Sequence, residues 1–196
     1  MTDDLRFEVI AAGFSGDREM AVSGLSASDG ATRASALRSL ARMGQLDTDT
    51  LVKFLRDADC EVRRTAVELS APFHMVEVHT LIDDDDVFVA EMVAWCLGER
   101  TVIRDEEIEV LIDRTTTHDE AVVREACAAA LGSLGDPRGL SAILAACSDK
   151  PAVRRRAILA LAPFDGAEVD AALTHALEDK DWQVRQNAED LINPRG

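Results

Sequence analysis

The stretch VVREACAAALGSLGDPRG, Val122–Gly139, puts an Arg beside an apolar residue. A run of very small side chains follows, then a Leu, then Gly-Asp-Pro. At 100° per residue, Val123, Cys127, Ala130 and Leu131 share one helical face. Small residues at the centre of that face let a neighbouring helix axis come close. Gly135 reads as a helix stop, Asp136 as a cap and Pro137 as a first helical residue.

The arrangement recurs. With the apolar residue before the Arg as offset zero, the copies fall at Leu5, Thr32, Val62, Val89, Val123, Val153 and Val184. The spacings are 27, 30, 27, 34, 30 and 31 residues, and a period near 30 marks a stacked-repeat architecture. Offset one is Arg6, Arg33, Arg63, Ala90, Arg124, Arg154 and Arg185. Offset four is Val9, Ala36, Ala66, Val93, Cys127, Ala157 and Ala188, all small or β-branched. Three residues before offset zero lie Thr2, Asp29, Asp59, Asp86 and Asp181, each able to accept from free backbone N–H groups as an N-cap. Asp119 is expected to cap the helix that starts near Val122, and Pro151 fits the first position of the next one.

Shorter apolar-periodic segments lie between these helices. The chain therefore reads as an all-α solenoid, one repeat domain over residues 1–196. It comprises a leading half-repeat at 2–14 and six helical pairs near 17–43, 47–71, 74–99, 105–134, 136–162 and 165–192. No strand pattern and no linker interrupt it, and "NPRG" ends the last helix.

Composition agrees. Hydrophobic residues make up 47% of 196, enough for a core, while aromatics are 4% and Tyr is absent. Cores of Ala, Leu, Val and Ile suit packed helices. Net charge is −16, a field that repels phosphate backbones and anionic membranes, so neither nucleic acid nor membrane is expected as a partner. The same charge also fits plain solubility or a salty cytoplasm. Cys60, Cys96, Cys127 and Cys147 stand far apart with no C-x-x-C, which points to reduced thiols rather than a disulfide framework or zinc cluster. The acidic start, MTDDLRFEVI, has no signal-peptide pattern, and a cytoplasmic location is expected.

The words DCEVRRTAVEL, VVREACAAALGSLGD and DWQVRQNAEDLI resemble HEAT repeats, specifically the short type found in phycobilin lyases and in many stand-alone bacterial and archaeal proteins. The resemblance covers nearly the whole chain and implies a right-handed superhelix of helical pairs. It also implies that the Arg-bearing helices line the concave side, and that Asp29, Asp59, Asp86 and Asp181 face Arg33, Arg63, Arg124, Arg154 and Arg185 in a ladder between repeats. Ala90 breaks that ladder.

Motifs for chemistry are sparse. Asp83 to Asp86 read as a solvated turn with Asp86 as a cap, because EF-hand spacing is absent. HMVEVH, His74–His79, reads as surface helix, since the two His fall about 140° apart. The repeated His-Glu dipeptides of HEAT-like diiron hydroxylases are absent, and no cofactor or metal is expected. No phosphate loop or nucleophile elbow is present.

The face of the Arg-bearing helices at offsets minus one, two and six carries the remaining signal. In the third to fifth repeats it reads Phe88, Glu91, Trp95, then Val122, Glu125, Ala129, then Ala152, Arg155, Leu159. The same offsets are polar in the second and sixth repeats. An apolar, aromatic centre with charged ends fits an interface. The expected function is therefore a non-enzymatic scaffold or adaptor for a protein or peptide. Phe88, Trp95, Val122, Ala129 and Leu159 would give affinity, while Glu91, Glu125 and Arg155 would set register. Self-association stays open, and the alternative is a subunit of a lyase-type or other modifying enzyme.

Overall fold

A computed structural model describes residues 2–193, with side chains from Asp4 onward. The expected cap at Thr2 and the closing Pro194–Gly196 lie outside the described side chains. All regular structure among the described residues is helical: α1 (Thr2–Ser15), α2 (Arg18–Gly24), α3 (Gly30–Arg42), α4 (Thr48–Phe54), α5 (Cys60–Leu69), α6 (Val87–Gly98), α7 (Asp105–Thr117), α8 (Ala121–Leu134), α9 (Leu140–Ala146), α10 (Pro151–Ala160), α11 (Ala167–Ala176) and α12 (Trp182–Ile192). Two 3-10 turns, Val78–Leu81 and Pro137–Gly139, precede α6 and α9.

The chain divides after Thr80 into two compact units. In the first, α3 packs between α1 and α5, with α2 and α4 against their partners α3 and α5. In the second, α8 packs between α6 and α10, and α10 in turn meets α12. The helices α7 and α9 form a second row behind α8.

Burial follows the repeat. All seven offset-four residues, from Val9 to Ala188, are 0% exposed, and within each unit the helices that carry them pack in succession, α1 on α3 on α5 and α6 on α8 on α10 on α12. The approach is tightest at two glycines in the second unit. A Cβ on Gly98 would stand 2.9 Å from the Ala130 Cα, and one on Gly132 would stand 2.6 Å from the Ala160 Cα. Only a residue without a side chain lets those backbones meet.

Helix starts follow the Asp pattern. Asp29 accepts from the Thr32 N–H at 2.8 Å, Asp59 from Glu61 at 2.9 Å, Asp86 from Phe88 at 3.0 Å and Asp181 from Gln183 at 2.9 Å. Pro151 opens α10, and Gly135 closes α8 at φ 62°. Asp119 does not cap α8. The cap residue is Glu120, whose N–H donates to the His118 Nδ1 at 3.0 Å, and the Asp119 carbonyl accepts from Arg124 instead.

The third repeat departs from expectation. HMVEVH is not a helix: it runs through a turn into the 3-10 segment Val78–Leu81. Val76 and Val78 are both fully buried, whereas Met75 and Glu77 are exposed. Tight-turn hydrogen bonds hold this path, the Val76 N–H donating to the Phe73 carbonyl and the Val78 N–H to the Val76 carbonyl, each at 2.9 Å.

The links between repeats use a different set of aspartates from those the HEAT resemblance implies. Arg33 donates to both oxygens of Asp57, at 2.8 and 2.6 Å. Arg124 does the same to Asp149, at 2.6 and 2.8 Å, and Arg154 to Asp179, at 2.8 and 2.7 Å. Asp57 and Asp179 each lie two residues before a capping Asp, and each also accepts the backbone N–H of that cap. At these two junctions the unit is Asp-x-Asp: the first carboxylate receives an Arg from the preceding repeat, and the second caps its own helix, whereas Asp149 is followed by Lys150-Pro151. The third guanidinium nitrogen, Nη1, turns to carbonyls of the Arg's own loop, for example Ala27 and Ser28 for Arg33. Five fixed donors on one plane make that division of labour possible. Ala90 supplies no such link. Arg114 of α7 reaches back to both oxygens of Asp83 instead, at 2.8 and 2.7 Å. The tetra-aspartate is therefore a joint, with Asp83 paired, Asp84 accepting from the Asp86 N–H and Asp86 capping α6.

These pairings hold carboxylates below their ordinary range. The Arg124 and Arg154 hydrogen bonds do so for Asp149 and Asp179. At Asp57 burial pushes upward, but Arg33 and the Asp59 N–H outweigh it. Asp181, bonded by Arg155, is brought down to about 2. A carboxylate depressed in the folded state contributes stability above its unfolded pKa of about 3.9, and that contribution is lost as pH falls through the folded value. Thermal stability is therefore expected to be level above about pH 5 and to fall steadily from about pH 4 toward pH 2. A melting temperature constant from pH 5 to pH 2 would show that the links carry no stability.

Candidate functional site

The second unit carries a trough of about 300 Å³ between α6 and α8, with α10 on its far side. Glu91 and Trp95 of α6 and Glu99, the residue that caps its end, line it. They stand four residues apart, one above the next on a single helical face. Trp95 is 45% exposed, a large indole left open to solvent. The α8 wall is shallow, built from Val122, Ala126, Ala129, Ala130 and Ser133. The Ser133 hydroxyl donates to the Gly98 carbonyl at 3.0 Å and closes one end. Glu125 of α8 and Arg156 of α10 face each other at 3.6 Å. The tight helix approach at Gly98 keeps the α8 wall close to the indole, and the small α8 residues keep it low.

Of the eight residues the sequence singles out, five line this trough: Glu91, Trp95, Val122, Glu125 and Ala129. Three do not. Phe88 is 57% exposed one turn toward the start of α6, and Leu159 is 43% exposed on α10. Arg155 is committed elsewhere, its Nε donating to Asp181 at 3.0 Å, a hydrogen bond that raises its own pKa further. Arg156, one residue on, is the cation at the trough. Glu99 also escaped the offset scheme, although the i, i+4, i+8 series from Glu91 through Trp95 would have found it.

Behind the trough's end, α6 joins α7 through a buried ionic cluster. Arg100, with a fully buried side chain, donates to the equally buried Glu107. Arg104 donates to the same carboxylate at 2.8 Å. Burial pushes Glu107 upward, yet the Arg104 and Arg100 bonds win and hold it below its ordinary value. Burial raises the Cys96 thiol to about 11 and the Cys127 thiol to about 12, so both stay protonated and inert at neutral pH. Among the described residues no three His, Cys, Asp or Glu side chains converge as a metal ion would require. No described helix is long and apolar enough to cross a membrane.

The family profile for HEAT repeats matches residues 48–132 and again 108–193. The chain belongs to the HEAT-repeat family. No curated protein sequence matches this HEAT-repeat chain. Among solved structures it is similar to a designed armadillo repeat protein in complex with the peptide (KR)4. That pair has a TM-score of 0.62 at 19% identity, covering 88% of this chain and 96% of that one. A computationally designed armadillo repeat protein for modular peptide recognition aligns with a TM-score of 0.57 at 19% identity, over 88% and 97% of the two chains. Human deoxyhypusine hydroxylase in complex with glycerol aligns with a TM-score of 0.51 at 18% identity, over 96% and 78%. These likenesses establish an all-α repeat fold of the solenoid class.

Proposed function

We propose that this HEAT-repeat chain is a non-catalytic scaffold of the cytoplasm, which binds a protein or peptide segment in the trough between α6 and α8. The observation that carries the reading is the indole of Trp95, 45% exposed beside a low wall of small residues. Exposing so large an aromatic is costly, and aromatic anchors in shallow pockets dominate protein interfaces. The designed armadillo relatives, one bound to a peptide and one made for peptide recognition, lend the reading support from fold likeness. The net charge of −16 disfavours nucleic acid as the partner.

Trp95→Ala is the direct test. Selection of peptides from a random displayed library against wild-type protein should yield binders that lose about 2 kcal/mol or more on the variant. Urea unfolding of the variant should move by less than about 1 kcal/mol, as for an exposed site. A loss of about 3–5 kcal/mol in folding stability would mark Trp95 as core and remove the anchor.

A further inference from the structure

The lining of the trough is chemically one-sided. Glu91, Glu99 and Glu125 contribute three carboxylates, and Arg156 is the one cation among the described lining residues. Arg156 already leans on Glu125 at 3.6 Å, so Glu91 and Glu99 retain charge on either side of the indole. Elsewhere the chain pairs cations with aromatic faces, Arg42 over Phe14 at 4.0 Å and Lys53 over Phe54 at 5.2 Å. Trp95 makes no such pair among the described residues, although Trp is the best of the aromatic faces for a cation.

Spacing adds a second constraint. Glu91, Trp95 and the C-cap Glu99 rise along α6 and its cap by four residues each, about 6 Å per step at 1.5 Å per residue. An extended chain advances about 3.3 Å per residue and turns every second side chain to one side, so same-side residues recur about every 6.6 Å. The two rulers match over the length of the trough.

We propose that the occupant is an extended segment with basic residues at alternate positions. One guanidinium or ammonium lies over the Trp95 indole, and its same-side neighbours pair with Glu91 and Glu99. The small residues of α8 leave room for the backbone of the segment. This rests on the peptide-binding reading above and names the chemistry of the partner. Charge complementarity supplies attraction and register, and the indole supplies the desolvated centre.

The test uses two fluorescein-labelled octapeptides of equal composition, (Arg-Ser)4 and (Arg-Arg-Ser-Ser)2, titrated by anisotropy against the whole chain. The alternating peptide should bind about tenfold tighter, because only it presents consecutive same-side cations, and each tenfold step corresponds to about 1.4 kcal/mol. Its affinity should fall on raising salt from about 0.05 to about 0.3 M. The Glu91→Gln/Glu99→Gln variant, whose circular dichroism and melting should match wild type, should lose about tenfold or more, as should Trp95→Ala. In a Trp182→Phe background, the emission of Trp95 should shift on binding.

Equal affinity for the two peptides, or unchanged affinity of the double glutamine variant, overturns the basic occupant. If library selection returns Trp95-dependent peptides that are neutral or acidic, the basic occupant fails while the scaffold reading stands. If no peptide of any class depends on Trp95, both fail.

Discussion

Replacing Ala66 with arginine is expected to destabilise the first unit by about 4 kcal/mol, among the largest effects a single substitution produces. Ala66 sits at offset four of α5, is 0% exposed, and faces α3, whose own offset-four residue Ala36 is equally buried. A side chain of arginine length must either push the two helices apart or leave a charge in an apolar seam. The Ala66 carbonyl also accepts the Ser70 hydroxyl at 2.6 Å, so a shift of the helix would disturb that bond as well. Urea unfolding monitored by circular dichroism gives the measurement. A loss below about 1 kcal/mol would mean that the position is not an internal contact.

Removing Glu107 should cost a similar amount for a different reason. Glu107→Ala leaves the buried Arg100 guanidinium without its carboxylate and takes a hydrogen bond from Arg104. Breaking a buried ion pair on one side costs about 3–5 kcal/mol, because the remaining charge stays desolvated. The discriminating comparison is the double variant Arg100→Met/Glu107→Leu. Removing both charges and refilling the space should recover most of the loss, since apolar replacements of buried pairs are often neutral. If the double variant were as unstable as the single one, the cost would lie in packing rather than in the stranded charge.

Much of the fold was legible because its decisive residues repeat. Small side chains at offset four and Asp before α3, α5, α6 and α12 are local signals, and the structure buries the first and uses the second as caps. The links between repeats were harder to read, because Asp57 and Asp59, or Asp179 and Asp181, are the same residue type two positions apart. Only the geometry shows that the first of each pair takes the Arg. The run Arg154-Arg155-Arg156 poses the same problem in reverse: the three side chains go to Asp179, Asp181 and Glu125 respectively. Arg155, which the sequence pattern offers for the interface, and Arg156, which lines the trough, lie about 100° apart on the helix. The missing helix in the third repeat was hidden by composition, since two buried valines fit a short helical pattern as readily as a run of turns.

The Arg–Asp link also bears on how such a chain changes length. The repeat that holds Asp149 and Arg154 carries both an acceptor for the Arg of the repeat behind it and a donor for the loop of the repeat ahead. Both ends of the link therefore travel with the same stretch of about 30 residues. A duplication or excision of that whole stretch restores the Arg–Asp link at the new junction, whereas one that cuts it in half leaves an arginine and an aspartate unmatched. Growth and shrinkage by entire units is thus the path of least structural disturbance for this architecture.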